Sequence, residues 1–106
     1  MSSLPRKILI ADSDEIVVAL ISHILHRQGY VVDVALSASD AAWCLQHKFH
    51  DAIVIDSKLL GALDPFRDRL GRTIILGDGD HADAHAVLRK PVEFGSLVET
   101  VAACVE

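Results

Sequence analysis

The stretch His50-Asp-Ala-Ile-Val-Ile-Asp56-Ser-Lys-Leu-Leu-Gly61 decides the fold. Ala52 to Ile55 is a short apolar run bounded on both sides by aspartate, the profile of a strand buried on both faces. Such strands belong to parallel sheets, whose crossovers need a helix between successive strands. The flanking sequence has that alternation. Lys7 to Ala11 is a second apolar run ending in acid, and Val31 to Ala35 a third. Thr73 to Leu76 and Ala86 to Leu88 read as the last two strands.

Between them lie amphipathic stretches. From Glu15 to about Gln28, Val17, Leu20, Ile21, Ile24 and Leu25 recur at helical spacing, with Asp14 as N-cap and Gly29 as stop. Ser39-Asp40 opens a helix through Ala41, Ala42, Leu45 and Phe49. A weaker helix is expected around Pro65 to Leu70, with Pro65 in its first turn. Glu93 to Val105 closes the chain as a helix with Phe94, Leu97, Val98, Val101 and Ala102 on one face. The expectation is an α/β fold over residues 1–106: one domain, a doubly wound five-stranded parallel sheet in the order 2-1-3-4-5. Gly77 to His85, G-D-G-D-H-A-D-A-H, is too polar and glycine-rich for a regular helix, so the fourth helix should be short or disordered.

Composition narrows the function. With 106 residues, 51% of them hydrophobic, the chain has material for one core. A domain of this size buries roughly 65% of its unfolded surface without needing disulfides or a structural metal. A net charge of −5 argues against direct nucleic-acid binding, which rests on clustered Lys and Arg. Cys44 and Cys104 form no CxxC pair, so the simplest setting is a reducing cytoplasm. No apolar run reaches the ~18 residues of a membrane span, and the first residues lack the apolar core of a signal peptide.

In an open parallel sheet, ligands gather beyond the carboxyl ends of the strands at the switch point. Strand one ends at Asp12, strand three at Asp56 and strand five at Lys90-Pro91. Strands one and three are neighbours in the expected order, so Asp12 and Asp56 emerge side by side. Paired carboxylates attract a hard cation such as Mg²⁺, and a lysine beside them balances a phosphoryl group. Two acids and a lysine outline a phosphoryl-transfer site.

Three segments in this order and spacing carry a resemblance: I-L-I-A-D-S-D-E (Ile8 to Glu15), the His50 to Gly61 run, and V-L-R-K-P-V (Val87 to Val92). The chain resembles the flavodoxin-like receiver domain of bacterial two-component response regulators, in an atypical form with a short or missing fourth helix. The resemblance covers Lys7 to Val105. It implies that Asp56 is the phosphoacceptor, taking the group from a histidine kinase or phosphotransfer protein. It also implies that Asp12 and Asp56 hold Mg²⁺ with the Lys58 backbone carbonyl, and that Lys90 contacts the phosphoryl group, often ahead of a cis proline. Asp14 is a further candidate metal ligand. Such a domain is not an enzyme beyond its own phosphorylation. It signals to a downstream protein, commonly through the last helix, here Glu93 to Val105, and the loop before it.

The sequence departs from that family in three places. Ser13 replaces the second of two adjacent acids, which weakens the Mg²⁺ site. The hydroxyl expected after strand four falls on Gly77 or Asp78, and the aromatic switch residue of strand five is Val87. These losses leave open a phosphorylation-independent pseudo-receiver acting as an interaction module. A third reading comes from another class. D-S-D-E-I (Asp12 to Ile16) and G-D-G-D-H-A-D (Gly77 to Asp83) resemble haloacid-dehalogenase-type phosphatases, with Asp12 as nucleophile, Asp14 as acid/base and Asp78 with Asp83 on Mg²⁺. That reading leaves Asp56 and Lys90 without roles. His81, Asp83 and His85 lack the formed helix that would group them as zinc ligands.

Overall fold

The computed structural model describes residues 4–106. Five parallel strands, β1 (Lys7–Ala11), β2 (Val31–Ala35), β3 (Ala52–Asp56), β4 (Thr73–Leu76) and β5 (Ala86–Leu88), form one sheet in the order β2-β1-β3-β4-β5. This is the expected order. Because strand side chains alternate, the sheet builds two cores. Ile8, Ile10, Ala52, Val54, Ile74 and Leu76 face helices α1 (Glu15–Arg27) and α3 (Phe94–Val105). Leu9, Ala11, Ile53, Ile55 and Ile75 face α2 (Ala38–His47) and the segment after β3. Every residue of β3 is buried, as a central strand covered on both sides must be.

The helix ends follow local chemistry. Asp14 Oδ1 accepts the backbone N–H groups of Ile16 and Val17 and so caps α1. At the other end Gly29 sits at φ 94°, where its N–H reaches the His26 carbonyl and that of Tyr30 reaches Leu25. This is a Schellman stop, and glycine tolerates the left-handed geometry it needs. Helix α2 begins earlier than the sequence suggests, because the hydroxyl of Ser37 takes the N–H of Asp40 and makes Ser37 the cap. Glu93 caps α3, accepting from the N–H groups of Gly95 and Ser96. Leu97 and Val101 carry the buried face of α3, whereas Phe94 turns outward.

The largest departure from the sequence reading lies between β3 and β4. Ser57–Arg72 is a succession of 3-10 turns, not a short α-helix, and Pro65 stands in its middle. Proline has no N–H to continue a helix, and Phe66 just after it takes non-helical angles (φ −127°, ψ 40°). Ala62 and Leu63 still reach the core, so packing holds what propensity alone would not. Arg69 donates to the Leu45 carbonyl at the end of α2, and Arg72 to the His50 carbonyl at 2.9 Å. The β4–β5 link contains turns and bends but no helix, in keeping with its composition.

One buried polar group stands apart from the cores. His50, 2% exposed, donates from Nε2 to Asp33 Oδ2 at 2.8 Å, and Asp33 also pairs with Lys48. The other ring nitrogen, Nδ1, is buried without a hydrogen-bond partner. Neutral His50 leaves only a lone pair there; protonation would place a second N–H where nothing accepts it. Burial therefore lowers the His50 pKa from its ordinary 6.5, against the opposing pull of Asp33 and with help from Lys48 and Arg69. A depressed base titrates more readily in the unfolded chain, so this stability is fully present above pH 6.5 and is lost as pH falls through the lower folded value. Asp33 is also held below its ordinary 3.8, because the His50 and Lys48 contacts outweigh its burial, so its own loss comes only in stronger acid. Urea unfolding at about pH 7.5 and about pH 5.5 should show a falling midpoint in the wild-type chain. His50→Ala should cost about 1–3 kcal/mol at the higher pH and flatten the dependence between the two.

Candidate functional site

The strand ends bring three side chains together. Asp12 follows β1, Asp56 is the last residue of β3, and Lys90 stands two residues beyond β5. Lys90 Nζ donates to Asp12 Oδ2 at 2.7 Å and lies 3.4 Å from Asp56 Oδ1. The two acid side chains are 1% and 5% exposed, while that of Lys90 is 35% exposed. The lysine thus reaches in from the rim over two buried carboxylates. Burial disfavours its charge, yet its hydrogen bond to Asp12 and the charges of Asp12 and Asp56 raise its pKa above the ordinary 10.5. The Lys90-Pro91 peptide is cis, as the resemblance implied.

Asp12 is further fixed by its backbone. Its Oδ1 accepts the Asp14 N–H at 2.9 Å, and its own N–H reaches the Ala35 carbonyl of β2 at 3.1 Å. Among the described residues, Asp56 Oδ2 is used by no hydrogen bond or ion pair. The acid at the centre of the triad therefore has one oxygen held and one open. Two buried carboxylates against one ammonium leave a net negative charge. Hard oxygen donors of that number suit Mg²⁺, which binds through one or two carboxylates and keeps several waters.

The remaining candidates fall around this centre. Ser13 is exposed beside it, and Asp14 is committed through Oδ1 to capping α1. Lys58 is exposed, two residues past Asp56. Asp78 is exposed at the mouth of the β4–β5 link, while Val87, half-buried opposite Ile75, packs into the core beside α2. The phosphatase-like grouping is not assembled: no cluster of three or more His, Cys, Asp or Glu occurs among the described residues, and Asp83 is exposed in the link.

Gly77 makes the site different from what the sequence alone suggests. Its φ is 136°, a region L-residues avoid, and a Cβ built there would collide with Ser57 Oγ and stand 3.0 Å from Ser57 Cβ. The Ser57 side chain thus occupies the space in front of the end of β4. Sequence reading assigned Ser57 nothing; the signal was a serine directly after the acid, paired with a glycine directly after β4.

Comparison with solved structures identifies the fold. The chain has the fold of response-regulator receiver domains. It matches the receiver domain of Francisella response regulator 1452 at TM-score 0.81 and 23% identity, covering 94% of this chain and 96% of that one. A CheY-like response regulator receiver domain protein from Methanospirillum hungatei matches at TM-score 0.80 and 22% identity, covering 96% and 94%. The chemotaxis response regulator CheY4 of Vibrio cholerae matches at TM-score 0.78 and 19% identity, covering 95% and 99%. No family model and no curated protein matches the sequence.

The ion-pair geometry has a direct energetic consequence. Lys90→Met leaves two buried carboxylates facing each other without their ammonium. The loss, tempered by the solvent at Lys90, should be about 1–2 kcal/mol in urea unfolding at neutral pH. Adding Asp56→Asn to that variant removes one of the two charges and should recover at least half of the loss.

Proposed function

We propose that this chain is a receiver module of two-component signalling, accepting a phosphoryl group on Asp56 from a histidine kinase or phosphotransfer protein. The observation that carries the reading is the single lysine bridging two buried acids at the switch point of the sheet. In the transfer, one Asp56 oxygen bonds to phosphorus as the bond from phosphorus to the donor's histidine nitrogen breaks. The electron pair of that bond returns to the nitrogen. Lys90 sits where the phosphoryl oxygens gain charge and turns from Asp56 toward them.

Asp12 and Asp56, with the Lys58 carbonyl, are the groups that would hold Mg²⁺. The ion, when bound, supplies positive charge to the transferring group. With Ser13 in place of a second acid, and Asp14 turned to its cap, the charge offered to the metal is smaller, and affinity should be correspondingly modest. No helix of the described residues is long and apolar enough to cross a membrane; the reading places the module's action in the cytoplasm. The catalytic power this requires is confined to the domain's own phosphorylation. Output passes to a downstream protein, and Leu20 and Phe94, exposed at 48% and 38%, give apolar contact area beside Lys90 and Pro91.

Val87 and Gly77 favour a second reading, a pseudo-receiver that binds its partner whatever the state of Asp56. Acetyl phosphate with Mg²⁺, followed by intact-protein mass spectrometry, separates the two. The acceptor reading expects one phosphoryl adduct, lost without Mg²⁺ and lost in Asp56→Asn but retained in Asp14→Asn. An unmodified chain under conditions that saturate with Mg²⁺ would favour the pseudo-receiver. Turnover that survives Asp56→Asn and stops in Asp12→Asn would point instead to the phosphatase.

A further inference from the structure

The Asp56 carboxylate has unequal flanks. On the β5 side stands Lys90, already within 3.4 Å. On the β4 side the strand is followed by Gly77, which has no side chain, and whose N–H is committed to the Leu88 carbonyl at 2.9 Å. Asp78, next in line, is an exposed acid and would repel an anion. The group that stands against Gly77 is the hydroxyl of Ser57, in the space a Cβ there would need. No side-chain hydrogen bond among the described residues uses that hydroxyl, as those near the site run between Lys90, Asp12 and Asp14. A free donor next in sequence to the acceptor, lying against the residue that follows the neighbouring strand, is a suitable partner for an anionic oxygen.

We infer that Ser57 is a phosphoryl-contacting residue, donating its hydroxyl to an oxygen of the group carried by Asp56 on the side opposite Lys90. The inference rests on the acceptor reading of Asp56. It also gives Gly77 a purpose: any larger residue there would displace the Ser57 side chain from this position. The glycine and the serine then form one device, in which the residue after β4 supplies room and the residue after β3 supplies the donor.

Beryllofluoride with saturating Mg²⁺ mimics the phosphoryl group on the whole 106-residue chain, and amide NMR reports its affinity. Ser57→Ala should weaken beryllofluoride binding about tenfold, as expected for loss of one hydrogen bond to a charged group. Its affinity for Mg²⁺ alone should stay at the wild-type value, because the hydroxyl is assigned no contact with the metal. Ser57→Thr, which keeps the hydroxyl, should bind beryllofluoride more tightly than Ser57→Ala. Wild-type binding by Ser57→Ala overturns the contact and leaves the acceptor reading standing, as does an equal loss of Mg²⁺ affinity, which would mark a general disturbance. No response in the unsubstituted chain overturns the acceptor reading, and the Ser57 contact with it.

Discussion

The ammonium of Lys90, shared between Asp12 and Asp56, is the interaction on which the site depends. Two carboxylates at adjacent strand ends, both almost fully buried, would repel each other across a medium far less screening than water. One cation between them makes the arrangement tolerable, and its position on the rim lets it move. The same contact ties β5, a strand of only three half-buried residues, to the better-buried strands β1 and β3. Packing of the sheet and the geometry of the site are therefore joined at one nitrogen atom.

Around that contact, the fold divides its work between the two ends of the sheet. The carboxyl ends hold the charged centre, with the exposed apolar residues Leu20 and Phe94 beside Lys90 and Pro91. Away from it, at the residues leading into β3, His50 bridges Asp33 and, through its carbonyl, Arg72 of the 3-10 segment. That segment is poor in helix-forming sequence, with Pro65 and two glycines, Gly61 and Gly71, and it holds its place through Ala62, Leu63 and two arginine bonds to backbone carbonyls. Tertiary anchors here substitute for local preference.

The departures of this chain from a receiver pattern acquire a physical sense in the structure. Val87 packs into the core beside Ile75, where an apolar side chain of its size is well accommodated. Gly77 is required by its backbone angle and by the Ser57 side chain in front of it, so it is not merely a position where a hydroxyl was lost. Asp14 is held to helix α1 by two backbone N–H groups, and this leaves Asp12 and Asp56 as the buried acids of the centre. Each change at one strand end is matched by a neighbour.

Much of this was legible beforehand, because it follows from short-range pattern. Apolar runs bounded by acids fix buried parallel strands, and Asp14 and Gly29 mark the ends of α1 through hydrogen bonds within a few residues. The placement of Asp12, Asp56 and Lys90 at neighbouring strand ends followed once the strand order was inferred. Three things needed the tertiary structure. The 3-10 character of Ser57–Arg72 reflects packing of Ala62 and Leu63 against a distant sheet face, which no local window contains. The burial of His50 depends on Asp33, a partner in another strand. And the role open to Ser57 exists only because β3 and β4 are adjacent: the serine next to the acid and the glycine after β4 lie 20 residues apart in sequence and touch only when the sheet is formed.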